Sequence, residues 1–156
     1  MRNRTLFALA ALLLTAADDP AATQEQEKFK GRWEIVGVTE NGQAVAKSQF
    51  GGLSAVFEGE NYKQFFNDKV VEEGTYKLDP KAEPKTLDLV IRTGADAGKT
   101  QLGLYKFEGK TLVLSLVRAG VAERPKSFES KAGTGILLFT MERAEPGKEK
   151  DAKPAP

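Results

Sequence analysis

Between positions 32 and 143 the apolar residues of this chain recur at every second position, in short runs broken by Gly, Asn, Asp and Pro. That period admits strands and excludes amphipathic helices over most of the length. Leu87, Leu89 and Ile91 alternate with Asp88, Val90 and Arg92, so one face of that run is apolar and the other polar. Leu53, Ala55 and Phe57, and later Leu112, Leu114 and Leu116, repeat the pattern. Strands are predicted at 32–38, 53–58, 62–66, 70–78, 87–92, 100–107, 110–117 and 135–143. Short polar links such as Glu58-Gly59-Glu60-Asn61, Asn67-Asp68-Lys69 and Glu108-Gly109 join neighbours as hairpins. Eight strands in this order close into an antiparallel up-and-down barrel, which leaves no exposed sheet edge. Ahead of them, 23–30 carries helix formers, with Thr23 and Gln26 placed as a capping box and Gly31 as the stop.

A chain of 156 residues is one domain's worth, so the expected organisation is linear. Arg2 and Arg4 precede an Ala/Leu-rich run over 6–14, and small residues Thr15-Ala16-Ala17 follow, which is the pattern of a secretory signal peptide at 1–17. The apolar run is too short to span a bilayer, so the mature chain is expected to be exported, periplasmic or secreted, without an integral membrane segment. Residues 18–28 are expected to be a linker and the start of the short helix, 29–143 the barrel domain, and 144–156 a disordered tail, because the tail mixes Pro and Gly with Lys and Glu and holds nothing apolar beyond alanine.

Composition removes several chemistries. With no cysteine and no histidine there are no thiol nucleophiles, disulfides, thiolate or imidazole metal sites, and no imidazole for proton transfer. Lys and Arg total 23 against 22 Asp and Glu, so no net field draws the chain to nucleic acid. Ala97-Gly98-Lys99-Thr100 has the ending of a phosphate-binding loop, but Thr93 stands where its first glycine belongs, and a strand rather than a helix follows. Glu72 and Glu73 are adjacent on a strand and point to opposite faces, so they do not form an acid/base pair. No Ser-x-x-Lys on a helix and no calcium-loop pattern is present. No enzyme activity, no catalytic residue, no metal and no cofactor is expected.

Gly31-Arg32-Trp33 in the first strand after a short helix resembles the Gly-x-Trp opening of lipocalins. From about 29 to 143 the chain more specifically resembles the uncharacterised lipocalin-like domain family expanded in planctomycete bacteria. The segments that carry this are Gly31-Arg32-Trp33-Glu34, Glu73-Gly74-Thr75-Tyr76-Lys77-Leu78-Asp79-Pro80, Pro84-Lys85-Thr86-Leu87-Asp88-Leu89, Gly98-Lys99-Thr100, Leu102-Gly103-Leu104-Tyr105 and Glu123-Arg124-Pro125. The resemblance implies an all-β, eight-stranded lipocalin-like barrel and an exported habit; it implies no activity, ligand or catalytic residue.

In an up-and-down barrel alternate links share an end, so 39–52, 67–69, 93–99 and 118–134 are expected at one mouth and the tight turns at Gly59, Pro80 and Gly109 at the other end. Trp33 begins the first strand and Arg143 ends the last, which puts a guanidinium over an indole at the closed end, a structural closure resembling that of lipocalins. Lys47, Arg92, Lys99, Arg118, Arg124, Lys126 and Lys131 outnumber Glu40, Asp96, Glu123 and Glu129 around the expected mouth. Two functions follow. One is a binding module that takes a small apolar or amphipathic anionic molecule into the barrel, with Phe57, Tyr76, Leu89, Leu104, Leu114 and Leu138 lining the cavity and Arg118 and Arg124 holding the headgroup. The other is a structural or protein-interaction domain whose barrel is filled by its own side chains. The chain is expected to act as a monomer, and no protein partner can be named from it.

Overall fold

The computed structural model describes residues Asp19–Glu145. The expected signal segment and all but the first two residues of the expected tail lie outside the described residues.

The order of elements is α1 (Pro20–Phe29), β1 (Gly31–Glu40), β2 (Gln43–Ala44), α2 (Lys47–Phe50), β3 (Leu53–Glu58), β4 (Asn61–Phe66), β5 (Lys69–Asp79), β6 (Thr86–Thr93), β7 (Thr100–Glu108), β8 (Thr111–Leu116) and β9 (Leu137–Arg143). Every pairing is antiparallel, and β1 pairs with both β3 and β9. The chain is thus a closed, all-β, eight-stranded up-and-down barrel with a short N-terminal helix. The two-residue β2 is an extra strand on the far end of β1, and it and α2 fold within the first long link. Neither gives a periodic signal in so few residues.

The helix starts earlier than the capping-box reading placed it. Asp19 is the N-cap, its carboxylate accepting from Ala21 N at 3.0 Å, and Pro20 occupies the first turn, where its fixed φ fits and its missing N–H costs nothing. The stop falls where expected: Gly31 takes φ +108°, a left-handed turn out of the helix that a β-carbon would resist. α1 then lies under the barrel, with its last residue, Phe29, fully buried.

Inward positions follow the two-residue period. Trp33, Ile35, Ala55, Phe57, Tyr62, Tyr76, Leu78, Leu87, Leu89, Tyr105, Leu112, Leu114, Leu116 and Met141 form one core with Phe29. Gly74 is also inward, because a β-carbon there would meet Val90 O at 2.1 Å and the Tyr62 ring at 2.8 Å. That close approach of strand to ring is why glycine occupies it.

The link between β8 and β9 does not stay at the mouth. It runs down the outside of the barrel as a strap across β6, β7 and β8. Arg124 Nη1 donates to Gly103 O at 2.8 Å and pairs with Asp88 at 2.6 Å, Ser115 Oγ donates to Ser127 O at 3.0 Å, and Phe128 lies under the Lys106 ammonium at 4.8 Å. At the end of β9, Ala144 N still donates to Arg32 O at 3.0 Å.

Candidate functional site

The interior divides into two halves. Toward α1 it is solid: the Phe29 ring meets those of Phe57, Tyr76, Tyr105 and Phe107 with centroids 5.1–5.7 Å apart, three of the four edge-on. Trp33 adds to this plug, its indole N–H donating to Phe29 O at 2.6 Å. The Arg143 guanidinium lies 4.5 Å from the Trp33 ring centre and donates to the Lys30 and Lys28 carbonyls, both at 2.6 Å. The expected Trp33–Arg143 pair is therefore present, and the arginine also satisfies carbonyls that the end of α1 leaves without intrahelical partners.

Toward the other end lies a cavity of about 220 Å³. Ile35, Ala55, Phe57, Leu89, Leu114, Leu116, Phe139 and Met141 give it apolar walls, and Tyr62, Gln64, Glu72, Asp96 and Gln101 give it polar groups. Gln64 and Glu72 are directly opposite each other on β4 and β5. The register slips beside them, between Gln64 and Phe65 on one side and between Glu73 and Gly74 on the other. Such bulges re-aim side chains, and here they flank the carboxylate that faces inward.

Glu72 accepts the Tyr62 hydroxyl at 2.9 Å. Burial raises its pKa above the usual carboxylate range; the Tyr62 hydrogen bond opposes this and the negative charge of Asp96 adds to it. Burial, together with the Glu72 carboxylate, pushes the Tyr62 phenol up as well. Asp96 pairs with Lys99 at 2.7 Å, whereas no Lys or Arg pairs with Glu72 among the described residues. Three carboxylates or more close enough to hold a metal ion do not occur among the described residues.

Of the residues singled out from sequence, Phe57, Leu89 and Leu114 line this cavity, and Tyr76 sits beneath it in the aromatic plug. Four are elsewhere. Leu104 is 1% exposed yet faces outward, alternating with the inward Tyr105 and Phe107 and covered by the strap. Leu138 alternates with the inward Phe139 and Met141, so it too faces away from the cavity. Arg118 pairs with Glu40, and Arg124 is spent on Asp88 and the backbone of the outer wall. The cavity lining contains no Lys or Arg, so Arg118 and Arg124 do not reach into it.

The decisive polar groups, Glu72, Tyr62, Gln64 and Gln101, are not among the residues that the sequence offers for the cavity. A signal existed: if Glu72 and Glu73 point to opposite faces, one must point inward. No known protein family, curated protein or solved structure matches the chain.

Proposed function

We propose that this protein is a lipocalin-like binding module that takes a small, mostly apolar molecule with a cationic or hydrogen-bond-donating head, such as a primary amine, into the open half of its barrel. The observation that carries this reading is Glu72, a carboxylate turned into a cavity with apolar walls and, among the described residues, with a tyrosine hydroxyl and no cation as its partner. A charge in such a place is costly unless paired. A ligand ammonium supplies the missing partner, while the apolar walls accept its body. A closed eight-stranded barrel is of a size to hold one small ligand, and the signal-peptide pattern at 1–17 supports an exported protein. The cavity volume equals about seven waters at roughly 30 Å³ each, below the usual 300–1,000 Å³ range of drug-sized sites, so the ligand is small. The filled-barrel alternative describes the half next to α1 and not the half next to Glu72.

The test is calorimetric titration with three probes of equal size: benzylamine, benzyl alcohol and benzoate. Benzylamine is expected to bind most tightly and benzoate least, with Glu72→Gln removing the preference for the amine and Leu114→Trp removing all binding. Amine affinity is expected to rise with pH through the Glu72 titration, because the proton on Glu72 must leave before the ion pair forms. Absence of binding by all three, unaltered by Leu114→Trp, would mean that the barrel works through its surface.

A further inference from the structure

The opposite end of the molecule carries a second concavity that the barrel cavity does not explain. A groove of about 1150 Å³ runs between the C-terminal end of α1, the start of β6, the β7–β8 turn, Phe128 of the strap and the end of β9. Lys28, Lys85, Lys106, Lys110 and Arg143 line it, against one lining carboxylate, Glu145. The cations are partly engaged: Lys28 and Lys85 share Glu25, Lys106 pairs with Glu108, and Arg143 holds backbone carbonyls. Lys110 is exposed and has no carboxylate partner among the described residues. Between the cations, half-buried Phe107 and Phe128 and exposed Pro84 supply apolar surface.

We propose that this closed-end groove docks an acidic peptide segment of a partner protein, one that carries aromatic or other large apolar side chains between its carboxylates. The argument is charge complementarity joined to an aromatic floor. The groove is open and about five times the volume of the barrel cavity, which suits an extended segment better than a single small molecule. The sequence of residues 146–156 is a poorer match in charge, since Lys148, Lys150 and Lys153 outnumber Glu149 and Asp151 and leave no acidic surplus. A polyphosphate backbone fits less well, because it offers nothing apolar to Phe107, Phe128 and Pro84 between the cations.

The test uses the whole chain and a fluorescein-labelled heptapeptide alternating glutamate and tryptophan, with glutamate–serine and lysine–tryptophan peptides as controls, followed by polarisation. The glutamate–tryptophan peptide is expected to bind at least tenfold more tightly than either control. Its binding should weaken as salt rises, because rim charges are screened. Lys110→Glu, an exposed change that leaves the fold intact, should weaken it at least fivefold, and Phe128→Ser should do so at low and high salt alike. Equal binding of the lysine–tryptophan peptide, or no effect of Lys110→Glu, overturns the proposal. So does tighter, Lys110-dependent binding of phosphatidylglycerol vesicles or single-stranded DNA, or displacement of the probe by a synthetic peptide of residues 146–156, which would assign the groove to the chain's own end.

Discussion

Three residues, Gly31, Trp33 and Arg143, show how a short motif does several jobs at once. Gly31 supplies the left-handed turn, and a β-carbon there would come within 3.2 Å of Arg143 Nη1, so glycine also leaves room for the guanidinium. Arg143 in turn covers the indole and holds two carbonyls at the end of α1. Arg143→Met is expected to cost about 2 kcal/mol in urea unfolding, the scale of two charge-assisted hydrogen bonds less what solvent returns. Arg143→Lys should recover little, since an ammonium lacks the planar fork that reaches two carbonyls while stacking on a ring. Glu72 makes the opposite kind of prediction. Its folded pKa is raised, so the folded state holds the proton more tightly, and its contribution to stability is present below the ordinary carboxylate range and lost as pH rises through the folded value. Glu72→Gln imitates the protonated form. It should therefore raise the melting temperature at pH 8 and leave it nearly unchanged at pH 4; a gain of equal size at both would remove desolvation as the cause.

Among the elements, the strands were legible and the strap was not. Period-two alternation is a local property, so each strand of the barrel could be read from its own residues, and hairpin links fixed their order. The strap over 117–136 has no period; its place is set by Arg124 reaching Leu87, Asp88 and Gly103 far away in sequence. Because it covers the outer wall, Leu104 is buried on the side that an uncovered barrel would leave wet. An apolar residue was thus correctly expected to be buried and wrongly expected inside. Leu138 was misassigned for the same parity, near Gly135, where the strand has no clear start. The helix start was available in Asp19-Pro20, a capping residue followed by a first-turn proline, but the sequence around it also reads as the beginning of a mature chain. If the strap is an integral part of the wall, Arg124→Ala should cost about 1–2 kcal/mol, its ion pair being partly exposed, and Leu104→Ala about 2–4 kcal/mol for a buried leucine. Hydrogen exchange should rise first in the strap and in β6–β7, while the far side of the barrel at β3–β4 stays protected.

Taken as a whole, the near-neutral chain separates the charges that line its two concavities, with Glu72 and Asp96 in the barrel cavity and five cations around the groove at the other end. Composition cannot reveal that separation, since it depends on which strand end each residue occupies. What couples helix to barrel at the basic end is Glu25, 5% exposed on α1 and paired with Lys28 at 2.7 Å and Lys85 at 3.1 Å. Burial works against its charge, but the two lysines together with the Tyr105 hydroxyl outweigh it and hold the carboxyl below its usual range. A lowered folded pKa gives a contribution that is present above the ordinary carboxylate value and lost as pH falls through the folded one. The same carboxylate, with burial as the larger cause, pushes the Tyr105 phenol up, so Glu25 acts on the aromatic plug as well as on the helix. Acidification should therefore loosen α1 before the strands separate. Glu25→Gln is expected to be less stable than the parent by about 1–3 kcal/mol at pH 7, a value kept below that of a fully buried pair because both lysines reach solvent, and the gap should close below pH 4. Near-ultraviolet circular dichroism, which reports the packing of Phe29, Trp33 and Tyr105, should fade in the variant at neutral pH as it does in the parent at acid pH, with far-ultraviolet strand signal retained. Loss of both signals together would mean that the helix and barrel unfold as one unit and that Glu25 joins two parts of a single cooperative structure.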